Sequence, residues 1–192
     1  ILFSFSKYLL AKAPPVILKD GKEFYEIGLN LDILEDPTGN LIINDVSSKE
    51  YSSQFESLNK KEINFGFSES SYWARIKIIN KTKFKNWIIT QHYVHQDKIS
   101  FFKKVNKTWI KTETGDSYPF SSRDVKDEKF SFQIKPDNSV YYLKISGNLN
   151  KYILSLQESR SFFVEKSYQN YLLGISFGLL LAMIGYNLFI FF

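Results

Sequence analysis

The chain has 192 residues, a formal net charge of +5 and no cysteine. The missing thiols exclude disulfides, thiolate metal sites and a cysteine nucleophile. Of the 25 basic residues only Arg75, Arg123 and Arg160 are arginines, so the forked guanidinium that phosphate recognition favours is scarce and nucleic acid is not an expected partner.

The first stretch, "ILFSFSKYLLAKAPP", is apolar and carries Ala11-Lys12-Ala13, a small-x-small pattern like a signal-peptidase site. Residues 1–13 are therefore read as a candidate signal-peptide remnant, with a first β-strand as the competing reading. From Phe24 to Ile153 apolar residues recur at every second position, the period of a strand with one buried face. Tyr72, Ala74, Ile76 and Ile78 line one face of "YWARIKII". Phe130, Phe132 and Ile134 do the same in "KFSFQI", Tyr141, Leu143 and Ile145 in "VYYLKI", and Tyr152, Leu154 and Leu156 in "YILSLQ". Further strand candidates are "FYEIGLNLDIL", "NLIIN", "NWIIT", "KISFFKK" and "KTWIKT", separated by turn material such as "EDPTGN", "TGDSYP" and "KPDNS". Eight or nine short strands in a chain that is 17% aromatic fit a two-sheet sandwich. The long polar connection from Ser47 to Asn64 favours Greek-key or jelly-roll crossing. The expected fold class is all-β, a jelly-roll-like two-sheet β-sandwich over residues 14–159.

Alternation ends after Ser159. "RSFFVEKSYQNYLLGISFG" contains no proline, so a helix beginning near Arg160 runs without a break into "YLLGISFGLLLAMIGYNLFIFF". From Leu172 to Phe192 no side chain is charged, the length of about 20 residues that crosses a hydrocarbon core. Residues 160–192 are read as a juxtamembrane segment and a transmembrane helix, with the membrane as partner over 172–192. Gly174, Gly178, Ala182 and Gly185 put small side chains on one helix face, where a second helix can approach closely. A homodimer is one such arrangement.

Sites for chemistry are sparse. His92 and His95 stand three apart in "HYVH", a spacing that sends strand side chains to opposite faces, and no third ligand accompanies them. Neither a metal nor a cofactor is expected. Carboxylates at Glu35, Asp36, Asp116, Asp124, Asp127 and Glu128 fall in turn-like segments, and no nucleophile elbow or phosphate loop supports an enzyme. The "NKT" triplets at Asn80 and Asn106 match the glycosylation acceptor pattern but are read as products of the Asn- and Lys-rich composition. Trp73, Trp87, Trp109 and Tyr93 are flat rings on which sugar faces can stack, or else core aromatics of the sandwich.

Taken in order, "YWARIKIIN", "HQDKISFF", "TGDSYPFSSRD", "FSFQI", "VYYLKI" and "GLLLAMIGYN" resemble the type-two extracellular domain of bacterial seven-transmembrane receptors with diverse intracellular signalling modules. The matching positions are Tyr72, Trp73, Arg75, Asn80, Asp97, Thr114, Gly115, Asp116, Pro119, Phe120 and Arg123, with Tyr186 and Asn187 in the helix. Gln96 stands where the family has leucine. The resemblance implies a jelly-roll, carbohydrate-binding-module-like domain outside the cytoplasmic membrane. It also implies a task of sensing and not catalysis.

A ligand site follows from "YWAR". With Tyr72, Ala74, Ile76 and Ile78 toward the core, Trp73, Arg75 and Lys77 fall on the opposite face. A tryptophan beside an arginine offers a stacking plane and a forked donor for a carbohydrate or another small ligand. Trp73, Arg75, Asp97 and Arg123 are the candidate ligand-binding residues. The competing reading covers Trp73 with the loop around Phe120 and pairs Arg75 with Asp97 or Asp116. An assembly module that binds another envelope protein is the rival function.

Overall fold

The computed structural model describes residues 12–192, so the signal-peptide reading falls, except for Lys12 and Ala13, outside the described residues. Thirteen strands and three α-helices follow one another. In chain order these are β1 (Val16–Leu18), β2 (Phe24–Glu26), β3 (Leu31–Asp36), α1 (Ile43–Val46), α2 (Lys49–Ser52), β4 (Glu56–Ser57), β5 (Ile63–Phe67) and β6 (Ser71–Asn80). Then come β7 (Trp87–Gln91), β8 (Lys98–Val105), β9 (Thr108–Thr114), β10 (Phe130–Ile134), β11 (Ser139–Ser146), β12 (Leu149–Tyr152), β13 (Leu154–Glu158) and α3 (Ser159–Phe191). The count exceeds the eight or nine expected because β1 and β4 hold only two or three residues, too few to show a period, β5 was not among the expected strands, and "FYEIGLNLDIL" and "YILSLQ" each take in parts of two strands.

Two sheets make the sandwich. The larger has the order β4-β3-β6-β11-β8-β9, with β1 running parallel to the end of β6, and the smaller is β10-β7-β13-β2. A separate pair, β12-β5, flanks them. The alternation read in the sequence becomes the interior. Tyr72, Ala74, Ile76 and Ile78 of β6, with Tyr141, Leu143 and Ile145 of β11, pack in one cluster with Phe130, Phe132 and Ile134 of β10 and Leu154 and Leu156 of β13. Phe101 of β8 stacks on Phe132 across the gap at 4.5 Å. Each such side chain contributes roughly 1.5–3 kcal/mol by leaving water. Buried polar side-chain atoms are bonded, with two exceptions among the described residues, Trp73 Nε1 and Arg123 Nε. Gln96 is fully buried, donating to the Ser146 carbonyl and to Asn150 Oδ1 at 2.9 Å, so an amide does by hydrogen bonding what a leucine does by packing.

The outward face of the larger sheet is also covered, and this corrects one expectation. "NLIIN" is not a strand: it leads into α1, whose Asp45 side chain accepts the Ile42 N–H at 3.0 Å. Helical spacing then puts Ile43 and Val46 on one side, and with Leu41, Tyr51 and Phe55 they pack on Leu34, Trp73, Phe102 and Tyr142. The stretch from Ser47 to Asn64 read as a long polar connection thus gives Tyr51 and Phe55 to a flap laid over the sheet, then β4 to the sheet edge and the start of β5.

α3 starts at Ser159, where Glu158 caps it by accepting the Ser161 N–H at 2.8 Å. Phe162 packs with Ile88 of β7 and Val125. Lys166 reaches Asp127 at 2.8 Å and Glu128 at 3.1 Å. Beyond this root the helix stands clear of the sandwich, and by length and composition it can cross a membrane. Gly174, Gly178 and Gly185 have open space beside them.

Candidate ligand cleft on the outer face

Strand register arranges the outer face of the larger sheet as a grid. One row runs Leu34, Trp73, Lys144, Ser100, Glu113 across β3, β6, β11, β8 and β9. The next runs Asp32, Arg75, Tyr142, Phe102, Lys111 across the same strands. The flap closes over the β3 and β6 end of these rows and leaves a cleft of about 520 Å³ over the rest. Its floor is Trp73, Phe102, Ser100 and Ser146, and its walls include the 39–43 segment, Tyr118, Lys98 and Lys144. The volume suits a small ligand with a few polar contacts.

Trp73 is 1% exposed, lies 5.3 Å from Phe102 in a stacked pair, and carries the Lys144 ammonium 5.1 Å from its ring centroid. Its indole N–H is buried with no hydrogen-bond partner, one of two such side-chain atoms among the described residues. Lys144 donates to the Gly39 carbonyl at 2.6 Å, to the Leu41 carbonyl at 3.2 Å and to Asp36 Oδ2 at 3.1 Å. It therefore clips the flap to the floor. Burial of Asp36 would raise its pKa, but hydrogen bonds from Lys144, the Leu41 N–H and Thr38, with the lysine charge, outweigh burial and hold the carboxyl below its usual range. Lys111 is occupied by Glu113 at 2.6 Å, whereas Lys98 forms no ion pair among the described residues.

The four residues picked from the sequence do not converge. Trp73 lines the cleft. Arg75 is its neighbour on β6 but lies under the flap, 4.3 Å from the Phe55 ring, donating to Asp32 Oδ2 at 2.8 Å and to Ser52 Oγ at 2.8 Å. It braces the flap, and its partners are Asp32 and Ser52 in place of Asp97 or Asp116. The cover over Trp73 is likewise the flap and not the loop around Phe120, which is 54% exposed. Asp97 receives the Asn148 N–H at 3.0 Å and abuts two glycines. A Cβ on Gly115, at φ +142°, would strike the Asp97 carbonyl. The "TGD" glycine is thus required by close backbone approach. Arg123 lies between the Phe120 and Phe130 rings, at 4.9 and 4.8 Å, with its guanidinium on the Asp127 carbonyl, away from the cleft.

Of the other aromatics, Trp87 is fully buried in the core, and Trp109 packs edge-on to Tyr142 at 5.4 Å. His92 pairs with Ser155 Oγ at 2.7 Å, and no cluster that could hold a metal exists among the described residues. Lys98, Ser100, Lys144 and Ser146 were not picked from the sequence. The signal was present, since in "YYLKIS" and "KISFF" they alternate with core residues on the same strands as the aromatics of the floor.

The family model described as 7TMR-DISM extracellular 2 matches residues 28–157. The chain belongs to this family. No curated protein matches it. The 7TMR-DISM extracellular 2 match opens in the turn before β3 and closes within β13, so it takes in most of both sheets, the flap and the cleft, and stops just before α3. The family is a receptor extracellular domain and not an enzyme family. With α3 added, the chain is a membrane protein with an extracytoplasmic domain.

Proposed function

We propose that the sandwich, residues 14–159, is the ligand-sensing input domain of a signalling receptor in the cytoplasmic membrane, and that residues 160–192 carry its state into the bilayer. The ligand is a small polyhydroxylated molecule such as a carbohydrate, held in the cleft over Trp73. One observation carries the reading: the cleft over the buried Trp73–Phe102 pair has an apolar wall at Ile42 and Ile43 and is lined by the hydroxyls of Ser71, Ser100, Tyr118 and Ser146. Apolar sugar faces pack on such a wall while their hydroxyls take up the polar groups around them.

The protein in lipid nanodiscs, screened by thermal shift against sugars, amino acids and organic acids, tests this. A true ligand at a hundred times its Kd should stabilise by about 2.7 kcal/mol. Ser100→Arg, which fills the cleft from its floor, should fold normally and abolish that gain. A gain that persists in Ser100→Arg places the ligand elsewhere. No gain with any compound favours an assembly module that binds another envelope protein.

A further inference from the structure

We infer that the cleft selects a saccharide bearing a carboxylate, a hexuronate in the simplest case, and that Lys98 is the residue that reads the charge. The inference rests on the sensing reading of the same cleft and narrows its ligand class. Three lysines line the cleft, Lys98 on β8, Lys111 on β9 and Lys144 on β11, against one lining carboxylate, Glu113.

Two of these cations are already spent. Lys111 is matched by Glu113 at 2.6 Å, and Lys144 is held by Asp36 and two flap carbonyls. Lys98 has no ion pair among the described residues. The carboxylate beside it in sequence, Asp97, is turned to the Asn148 N–H and packed against Gly147. One positive charge is thus left over beside a cleft that has an apolar wall at Ile42 and Ile43 and whose other polar groups are mainly hydroxyls. The complement to one ammonium, one apolar wall and several hydroxyls is one carboxylate on a sugar ring. A purely neutral sugar leaves the ammonium unused, and a simple carboxylate leaves the apolar wall and hydroxyls unused.

Calorimetric titration of the protein in nanodiscs with galacturonate and glucuronate, with galactose and glucose, and with succinate separates these chemistries. Hexuronates should bind at least about tenfold more tightly than the matching neutral sugars, the factor one hydrogen bond to a charged group supplies. Lys98→Gln should remove that preference, so that a hexuronate binds no more tightly than the matching neutral sugar. Added salt should weaken the hexuronates and spare the neutral sugars. Equal affinity for neutral and acidic sugars overturns the inference and leaves the sensing reading intact. Succinate binding as tightly as a hexuronate overturns the saccharide, and silence from every acid and sugar in the set overturns the inference, with the wider screen still deciding the sensing reading.

Discussion

His92 sits where β7 leaves the smaller sheet, its Nε2 against Ser155 Oγ at 2.7 Å. Burial, followed by the positive charges of Lys129 and Lys166, outweighs the pull of Asp127 and lowers its pKa from the ordinary 6.5. The folded protein therefore holds this ring neutral at a pH where the unfolded chain has begun to protonate it. The stability it contributes is complete above about pH 6.5 and falls as the medium is acidified below that value. Urea unfolding at pH 7.5 and 5.5 should show a loss on acidification that is smaller in His92→Gln; equal losses in the two proteins would assign the pH dependence to other groups. At this scale the sequence was uneven. Trp73 was legible because alternation placed it outward from a core strand. Asp32 as the partner of Arg75 was not, because the pair is 43 residues apart and only the register of β3 on β6 joins them.

Among elements, the flap was the least legible. Its apolar residues are spread over Leu41, Ile43, Val46, Tyr51 and Phe55, and neither α1 nor α2, at four residues each, is long enough to show a helical period. The core strands were legible for the opposite reason, five to ten residues of clean alternation. Beside Lys144 and this packing, the sheet holds the flap through Arg75, which joins β6 to Asp32 of β3 and to both the carbonyl and hydroxyl of Ser52 in α2. Both partners of the ion pair have side chains only 10% exposed. Removing one leaves a buried charge alone, a loss on the order of 3–5 kcal/mol. Arg75→Ala should lower unfolding stability by about that much, with or without ligand, and should raise hydrogen exchange first in residues 48–57. A variant as stable as the wild type would mean that Phe55 and Val46 hold the flap by packing alone.

For the whole molecule, one connection joins the two ends of the proposed function. The loop between β9 and β10 puts Tyr118 on the wall of the cleft, is stiffened by Arg123 between two rings, and then gives Val125 to Phe162 and Asp127 to Lys166 at the root of α3. Burial works against the Lys166 charge, yet hydrogen bonds from Lys166 to Asp127 and Glu128 prevail and raise its pKa, so the tie persists across physiological pH. Lys166→Met should leave ligand-induced stabilisation unchanged while removing the ligand-induced change in a spin label at Ser167; a label response equal to the wild type would take this tie out of the path. The absence of any hinge between Glu158 and Phe191 then acquires a quantitative meaning. A helix of 33 residues is about 50 Å long, and one fixed at its root converts angle into displacement. A tilt of about 5° at Phe162 moves the far end by roughly 4 Å, comparable to most of one helical turn. In the proposed receptor, ligand contacts that shift the β9–β10 loop by a fraction of an ångström would thus be magnified along the arm, with the bilayer as the scale on which they are read.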